Sequence, residues 1–277
     1  MKQRTLIATA VVLVCGGLVA AIAIGAFDSG DDPPPGGEIE GTGAVPAPRE
    51  AVATEKPQGK PISAVKGPVT ALPNRPVKGR YFAIAELRDG AEVPLFASPG
   101  GRLVESLAPR SEFGSPRVLG VARQRGPWLG VITPLLPNGE LGWIRFESDK
   151  ISLYFTRYWL SVSLSRRQMA LRYGDRELGR YAISVGATGT GTPEGHFAIT
   201  DALSYDDSPY YGCCALALSG HQEMLPVGWL GGDRIAIHGT PGAVGYAASS
   251  GCIRATDQTM RVLFRRIPLG TPVFVRS

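Results

Sequence analysis

About one residue in five of this chain is glycine or proline, 36 and 23 of 277. Residues that break helices at that density exclude a helical bundle or a long coiled coil, and they predict short strands joined by many tight turns. Hydrophobic residues at 44% still suffice for globular cores, and the length leaves room for more than one of them. The net charge of +5 is spread along the chain. No stretch concentrates Lys and Arg with interleaved aromatics, which argues against nucleic acid as a partner.

The chain divides into four parts. After Lys2 and Arg4 an uncharged run extends from Thr5 to Phe27, and Asp28, Asp31 and Asp32 follow it. As a helix this run would measure about 34 Å, enough to cross a bilayer core. Basic residues before it and acidic ones after it predict an N-inside transmembrane helix, with residues 1–27 as anchor and the rest outside the cytoplasm. A cleaved signal ending near Ala21-Ile22-Ala23 or Ile24-Gly25-Ala26 is the main alternative, with lipoprotein processing at Cys15 a third. Residues 28–79 carry 10 prolines and 8 glycines with no hydrophobic period, the composition of a linker.

Between 80 and 150 short apolar runs alternate with turn signals such as Ser98-Pro99-Gly100-Gly101 and Pro137-Asn138-Gly139. Five or six strands in that span predict a small antiparallel barrel. The run Val93 to Gly101 and the ending Pro137 to Ile144 resemble the bacterial Src-homology-3-type domains found beside wall-remodelling enzymes. Trp128 and Trp143 read as fillers of the barrel core rather than as a stacking surface for a ligand.

Residues 151–277 carry the chemistry. Period-two runs at Tyr158 to Leu164, Met169 to Tyr173 and Tyr181 to Val185 predict three strands with one buried face. Met260, Leu263, Phe264 and Ile267, behind Thr256 as N-cap, predict a short amphipathic helix before a last strand at Val273 to Val275. The fold class is therefore mainly β, with one or two short helices.

Outside the cytoplasm thiols are normally paired, yet three cysteines, Cys213, Cys214 and Cys252, lie beyond the apolar segment. At least one thiol must stay outside an internal disulfide. Cys252 is the natural candidate, in Ser249-Ser250-Gly251-Cys252-Ile253-Arg254, 14 residues after His238 in Ile237-His238-Gly239-Thr240. A thiol is mostly protonated at neutral pH, and an imidazole within reach can take its proton to activate it for acyl transfer. Gly251, lacking a side chain, lets backbone N–H groups near Cys252 approach a developing oxyanion. Cys213 and Cys214 read either as a vicinal disulfide or redox pair, or as two ordinary buried thiols. With His221 they match no common zinc spacing, so no metal is expected. His196 and His221 read as exposed structural residues. Tyr205, Tyr210, Tyr211 and Trp229 fit a substrate cleft and core packing equally well.

The set His238-Gly239-Thr240 with Ser249-x-Gly251-Cys252-Ile253-Arg254, preceded by Thr192-Pro193-Glu194-Gly195-His196-Phe197, closely resembles the catalytic domain of the L,D-transpeptidases. That resemblance implies cross-linking of peptidoglycan stem peptides between two third-position diamino acids, without a cofactor, and acylation by carbapenems. It implies Cys252 as nucleophile, His238 as general base and the Gly239 carbonyl as the group that orients the ring. Ser249 and Gly251 match the motif's hydroxyl and glycine, and Arg254 its arginine, to bind a substrate carboxylate or to brace the loop. Ser250 stands where relatives often have His or Arg, and the interval from His238 to Cys252 is short. An L,D-carboxypeptidase that resolves the same thioester with water, and a non-catalytic wall-binding protein, are the rival readings. The expected location is the cytoplasmic membrane, with the catalytic domain on the wall side.

Overall fold

Two β-sheets share a wall, and that wall is the first strand. The computed structural model describes residues 80–225, 229 and 232–277, so the expected membrane helix and linker lie outside the described residues. Among the described residues no helix is long and apolar enough to cross a membrane.

The first sheet is antiparallel throughout. Its strands are β1 (Phe82–Leu87), β2 (Val93–Phe96), β3 (Leu103–Leu107), β4 (Val118–Arg125), β5 (Trp128–Ile132), β6 (Gly142–Arg145) and β7 (Ile151–Thr156), in the order β3-β2-β6-β5-β4-β1-β7. β7 lies beyond the 150/151 division drawn from the sequence, and it pairs with β1 from Phe82↔Thr156 to Leu87↔Ile151. The expected small barrel is an incompletely closed one, because β3 and β7 remain as edges. The sheet nonetheless curls on itself, since Leu107 near one edge and Ile151 and Leu153 on the other join Ala85, Leu95, Leu119, Leu129 and Ile144 in one apolar cluster. Trp143 is buried, as a core filler should be. Trp128 is only half-buried and meets Phe96 edge to face at 5.4 Å, lining a shallow surface groove with Arg145 and Lys150.

The second sheet begins with two of the expected strands, β8 (Tyr158–Ser163) and β9 (Gln168–Tyr173); the third, expected over Tyr181 to Val185, starts earlier as β10 (Arg176–Ala182), because it returns against β9 directly after the turn at Gly174-Asp175. After the short β11 (Val185–Gly186) come β12 (Gly195–Ser208), β13 (Gly212–His221), β14 (Arg234–Thr240), β15 (Ala247–Ser249) and β16 (Ile253–Thr256). The helix α1 (Asp257–Arg266) and strand β17 (Pro272–Arg276) close the chain. The order is β10-β9-β8-β17-β12-β13-β14-β16, with β8–β17 and β14–β16 parallel and a separate parallel pair β11–β15.

Helix α1 forms where the pattern puts it. Thr256 accepts a hydrogen bond from the Thr259 amide at 3.2 Å, Asp257 sits in the first turn and Arg265 and Arg266 in the last. Met260 and Leu263 are buried as the helix packs on β13 and β14, behind the strand that carries His238. Loss of one such cap removes about 1 kcal/mol. Thr256→Ala is expected to lower the unfolding free energy measured by urea titration by that amount; an unchanged midpoint would show that the helix is held by packing alone.

Residues 80–225 and 233–277 lie in one compact unit. Strand β1 has apolar residues on both faces: Ala85 and Leu87 turn into the first core, while Ile84, with Val118 of β4, joins the second core of Leu160, Phe197, Ile199, Leu216 and Leu263. Gly270 permits this approach, since at φ +78° it lacks the Cβ that would stand 2.6 Å from the Ile84 side chain. Polar contacts join the sheets beside it: Ser111 donates to the buried carboxylate of Asp201, and Arg234 pairs with Glu112 while donating to Thr200 Oγ1 at 2.7 Å. Trp229 and Gly232 belong to a separate unit, within which the indole N–H donates to the Gly232 carbonyl at 3.1 Å.

Candidate active site

The parallel pairing of β14 with β16 sets Ile237 opposite Ile253 and His238 opposite Arg254. Cys252 directly precedes β16, two residues before Arg254. Register partners share a face, so Arg254 and His238 lie on one face of the ladder. The loop before β16 carries Cys252 into the strand that pairs with β14, and the hairpin between β12 and β13 delivers the aromatics. Tyr211 meets the His238 ring edge-on at 5.2 Å and stacks with Tyr205 at 5.2 Å, whereas Tyr210 is exposed.

His238 is 3% exposed. Its Nδ1 lies 2.7 Å from the Gly239 carbonyl, which can only accept, so Nδ1 carries the proton and Nε2 presents its lone pair. Burial pulls its pKa from 6.5 to about 4; the bond to Gly239 opposes that shift and the nearby Arg254 charge adds to it. The ring is therefore neutral at pH 7. Between pH 6.5 and 4 the unfolded chain binds a proton at this position that the folded chain refuses, so stability falls as the pH drops through that window and is unaffected above it. The difference corresponds to about 3 kcal/mol. Comparing urea midpoints at pH 7 and pH 4.5, His238→Gln is expected to lose less stability than the wild type on acidification. Equal losses would place the imidazole in solvent.

The loop 249–252 is laced to its surroundings. Ser249 is buried; its hydroxyl donates to the Cys252 carbonyl at 2.5 Å and accepts from the Gly251 amide at 3.2 Å. Thr190 Oγ1 donates to the Ser249 carbonyl at 3.0 Å, and Thr192 Oγ1 to the Gly251 carbonyl at 2.8 Å. Gln222 Nε2 donates to the Ser250 carbonyl at 3.0 Å. Gly251 adopts φ +118°, and a Cβ there would collide with the Gln222 amide. That is a physical reason for glycine at this place in the motif. Ser184 and Arg254 exchange both backbone bonds, at 2.8 and 2.9 Å, which pins the other side of the loop, while Arg254 Nε is buried without a hydrogen-bond partner.

Of the residues singled out from the sequence, His238 and Gly239 lie on β14, Arg254 pairs with His238 from β16, and Ser249, Ser250, Gly251 and Cys252 form the segment that leads into β16. Cys213 and Cys214, both buried at the start of β13, are joined as a vicinal disulfide, the first of the two readings open from sequence; Cys252 keeps its thiol. The other histidines correct the expectation of exposure. His196 stacks on Phe274 at 4.3 Å, because β12 pairs with β17 and brings the rings together, and burial lowers its pKa. His221 ends β13 with Nε2 2.6 Å from the Pro134 carbonyl and Nδ1 2.9 Å from Asp233. Among the described residues no cluster of three His, Cys, Asp or Glu side chains could hold a metal ion. Thr190, Thr192, Ser184 and Gln222 were not identified as site residues from sequence. Only Thr192 stood in a motif, and its bond to a loop 59 residues away leaves no local pattern.

A family model described as YkuD, the L,D-transpeptidase catalytic domain, matches residues 157–275. Two candidate L,D-transpeptidases of Bacillus subtilis are similar over the same region. YqjB is 31% identical over 126 residues, covering 42% of this chain and 70% of its own length; YkuD is 31% identical over 124 residues, covering 44% and 68%. Among solved structures, an L,D-transpeptidase from Mycobacterium smegmatis is 18% identical with a TM-score of 0.35, covering 50% of this chain and 73% of its own. The chain spans about half the length, 48%, of the solved Bdellovibrio bacteriovorus chain Bd1075 that it also matches.

Proposed function

The chain belongs to the L,D-transpeptidase catalytic-domain family, and from that premise we propose that it forms peptidoglycan cross-links through a thioester on Cys252. In this reading Cys252 Sγ attacks the carbonyl that joins the third-position diamino acid of a donor stem to its terminal D-amino acid. The thiol proton passes to His238 Nε2 as the carbon–sulfur bond forms. Backbone amides beside Gly251 receive the oxyanion. The intermediate collapses, the C–N bond breaks, and His238 returns the proton to the departing D-amino acid. The side-chain amine of a second stem then attacks the thioester, His238 again relays the proton, and an isopeptide bond and the Cys252 thiol result.

The observation that carries this reading is the state of His238: neutral and buried, its Nδ1 proton committed to Gly239 and its Nε2 left basic, on the strand that pairs with the one Cys252 leads into. A neutral resting ring means that the proton leaves sulfur during attack rather than before it. The apolar run Thr5 to Phe27 supports a location at the outer face of the cytoplasmic membrane, and the first sheet, read as a Src-homology-3-type domain, holds the catalytic sheet from below.

The product profile with a purified tetrapeptide muropeptide tests the proposal. Cross-linked dimers are expected. Tripeptides alone would make the protein an L,D-carboxypeptidase, and unaltered substrate together with unaltered wall composition after Cys252→Ala would make it a non-catalytic wall binder.

A further inference from the structure

Gln222 stands one residue past the end of β13, outside every motif of the catalytic set, and it is 6% exposed. Its side-chain nitrogen faces three carbonyls: Thr190 at 3.0 Å, Gly191 at 3.1 Å and Ser250 at 3.0 Å. Carbonyls only accept, so the orientation of the amide is determined, and two N–H bonds are shared among three acceptors. Its oxygen accepts from the Met224 amide at 3.1 Å, and its own backbone amide donates to the Asp233 carbonyl at 2.6 Å. These bonds fix neighbouring loops rather than reach outward. One end of the amide bridges the loop between β11 and β12 to the loop that carries Cys252, and its bulk fills the space where Gly251 has no side chain.

What holds Gln222 comes from the other sheet. Asn138, in the turn between β5 and β6, donates to the His221 carbonyl at 2.8 Å and accepts from the His221 amide at 2.9 Å, imitating a strand partner. The same Nδ2 reaches Glu223 Oε1 at 2.9 Å. His221 Nε2 completes the clamp at the Pro134 carbonyl. Asn138 thus grips the residues on both sides of Gln222.

We infer that Gln222 is a positioning residue for the loop bearing Cys252, and that Asn138 of the first sheet acts on the active site through it. The inference rests on the acyl-transfer reading above for its consequence, although not for its geometry. A displaced Ser250 carbonyl turns the peptide units around Gly251 and Cys252, and with them the amides aimed at the oxyanion. Attack on a carbonyl suffers from that; simple alkylation of sulfur, which builds no oxyanion, does not.

The experiment uses the full chain and two probes of Cys252, a carbapenem followed by intact mass and iodoacetamide. Gln222→Leu is expected to slow carbapenem acylation about 10- to 100-fold and Asn138→Ala about three- to tenfold, with alkylation by iodoacetamide within about threefold of the wild type. The double variant should be no slower than Gln222→Leu alone, since Asn138 acts through Gln222. Amide exchange over 249–253 should quicken in each variant. Acylation and alkylation falling together, or neither falling, overturns the inference. If Gln222→Leu does not fold, Asn138→Ala, at the half-buried rim, carries the same test. A wild type that takes no carbapenem defeats the transpeptidase reading instead, and the amide exchange then decides the relay alone, unchanged exchange overturning it.

Discussion

Replacing Cys252 by alanine is expected to abolish acylation by a carbapenem and to reduce cross-link formation on the order of 10⁶-fold, to what binding and the oxyanion amides alone support. The expectation follows from the division of labour at the site. The acyl group in the proposed cycle is carried by sulfur at position 252, and among the described residues no second thiol can stand in, since Cys213 and Cys214 are bonded to each other. Cys252 is only partly buried and its loop is held by backbone carbonyls and amides, so the truncation should leave the fold intact. Intact mass after incubation gives the answer directly: one drug mass on the wild type and none on the variant. An adduct that persists on Cys252→Ala would move the nucleophile elsewhere and undo the mechanism.

The second large effect is at His238. Exchange for glutamine keeps a polar side chain of similar reach and removes the base, and a general base of this kind contributes about 10²- to 10⁴-fold. His238→Gln is expected to lose that much in acylation rate at pH 7. Raising the pH supplies thiolate without a base and should restore part of the loss, which distinguishes a missing proton acceptor from a damaged site. The wild-type rate should hold on acidification until the ring protonates, near pH 4 rather than near 6.5, because burial depresses its affinity for protons. An acid limb at 6.5 in the acylation rate would mean that a different, solvated group sets the protonation state.

The proposal for these two residues was already available from the sequence, because the chemistry it invokes is carried by side-chain type and short spacing. Helix α1 was legible too: Thr256 ahead of Met260, Leu263 and Ile267 is a local signal, and the helix starts where the cap puts it. Strands β8 and β9 show themselves through alternation, since each buries one face more than the other, whereas β10 buries no residue and runs over Arg176–Ala182 rather than Tyr181 to Val185. What escaped was built by residues far apart in the chain. Gln222 gathers carbonyls from positions 28 to 32 residues away, and Asn138 grips a strand end 83 residues on. A glutamine or an asparagine in a turn carries no mark of such partners, because amides serve equally well facing water. The histidines show the same limit in reverse: polar neighbours in sequence suggested exposure, yet strand pairing laid Phe274 on His196 and the β5–β6 turn on His221.

The double-sided burial of β1 has an architectural consequence. Ile84 and Val118 are as much part of the larger sheet's interior as its own leucines, and Gly270 is shaped to receive them. A chain starting at the family boundary near 157 would carry an uncovered oily strip along its flank and lose the turn that grips His221. The smaller sheet is therefore no interchangeable bead threaded ahead of an enzyme: lineages that exchanged it for another module would have had to redesign the contact surface in the same step.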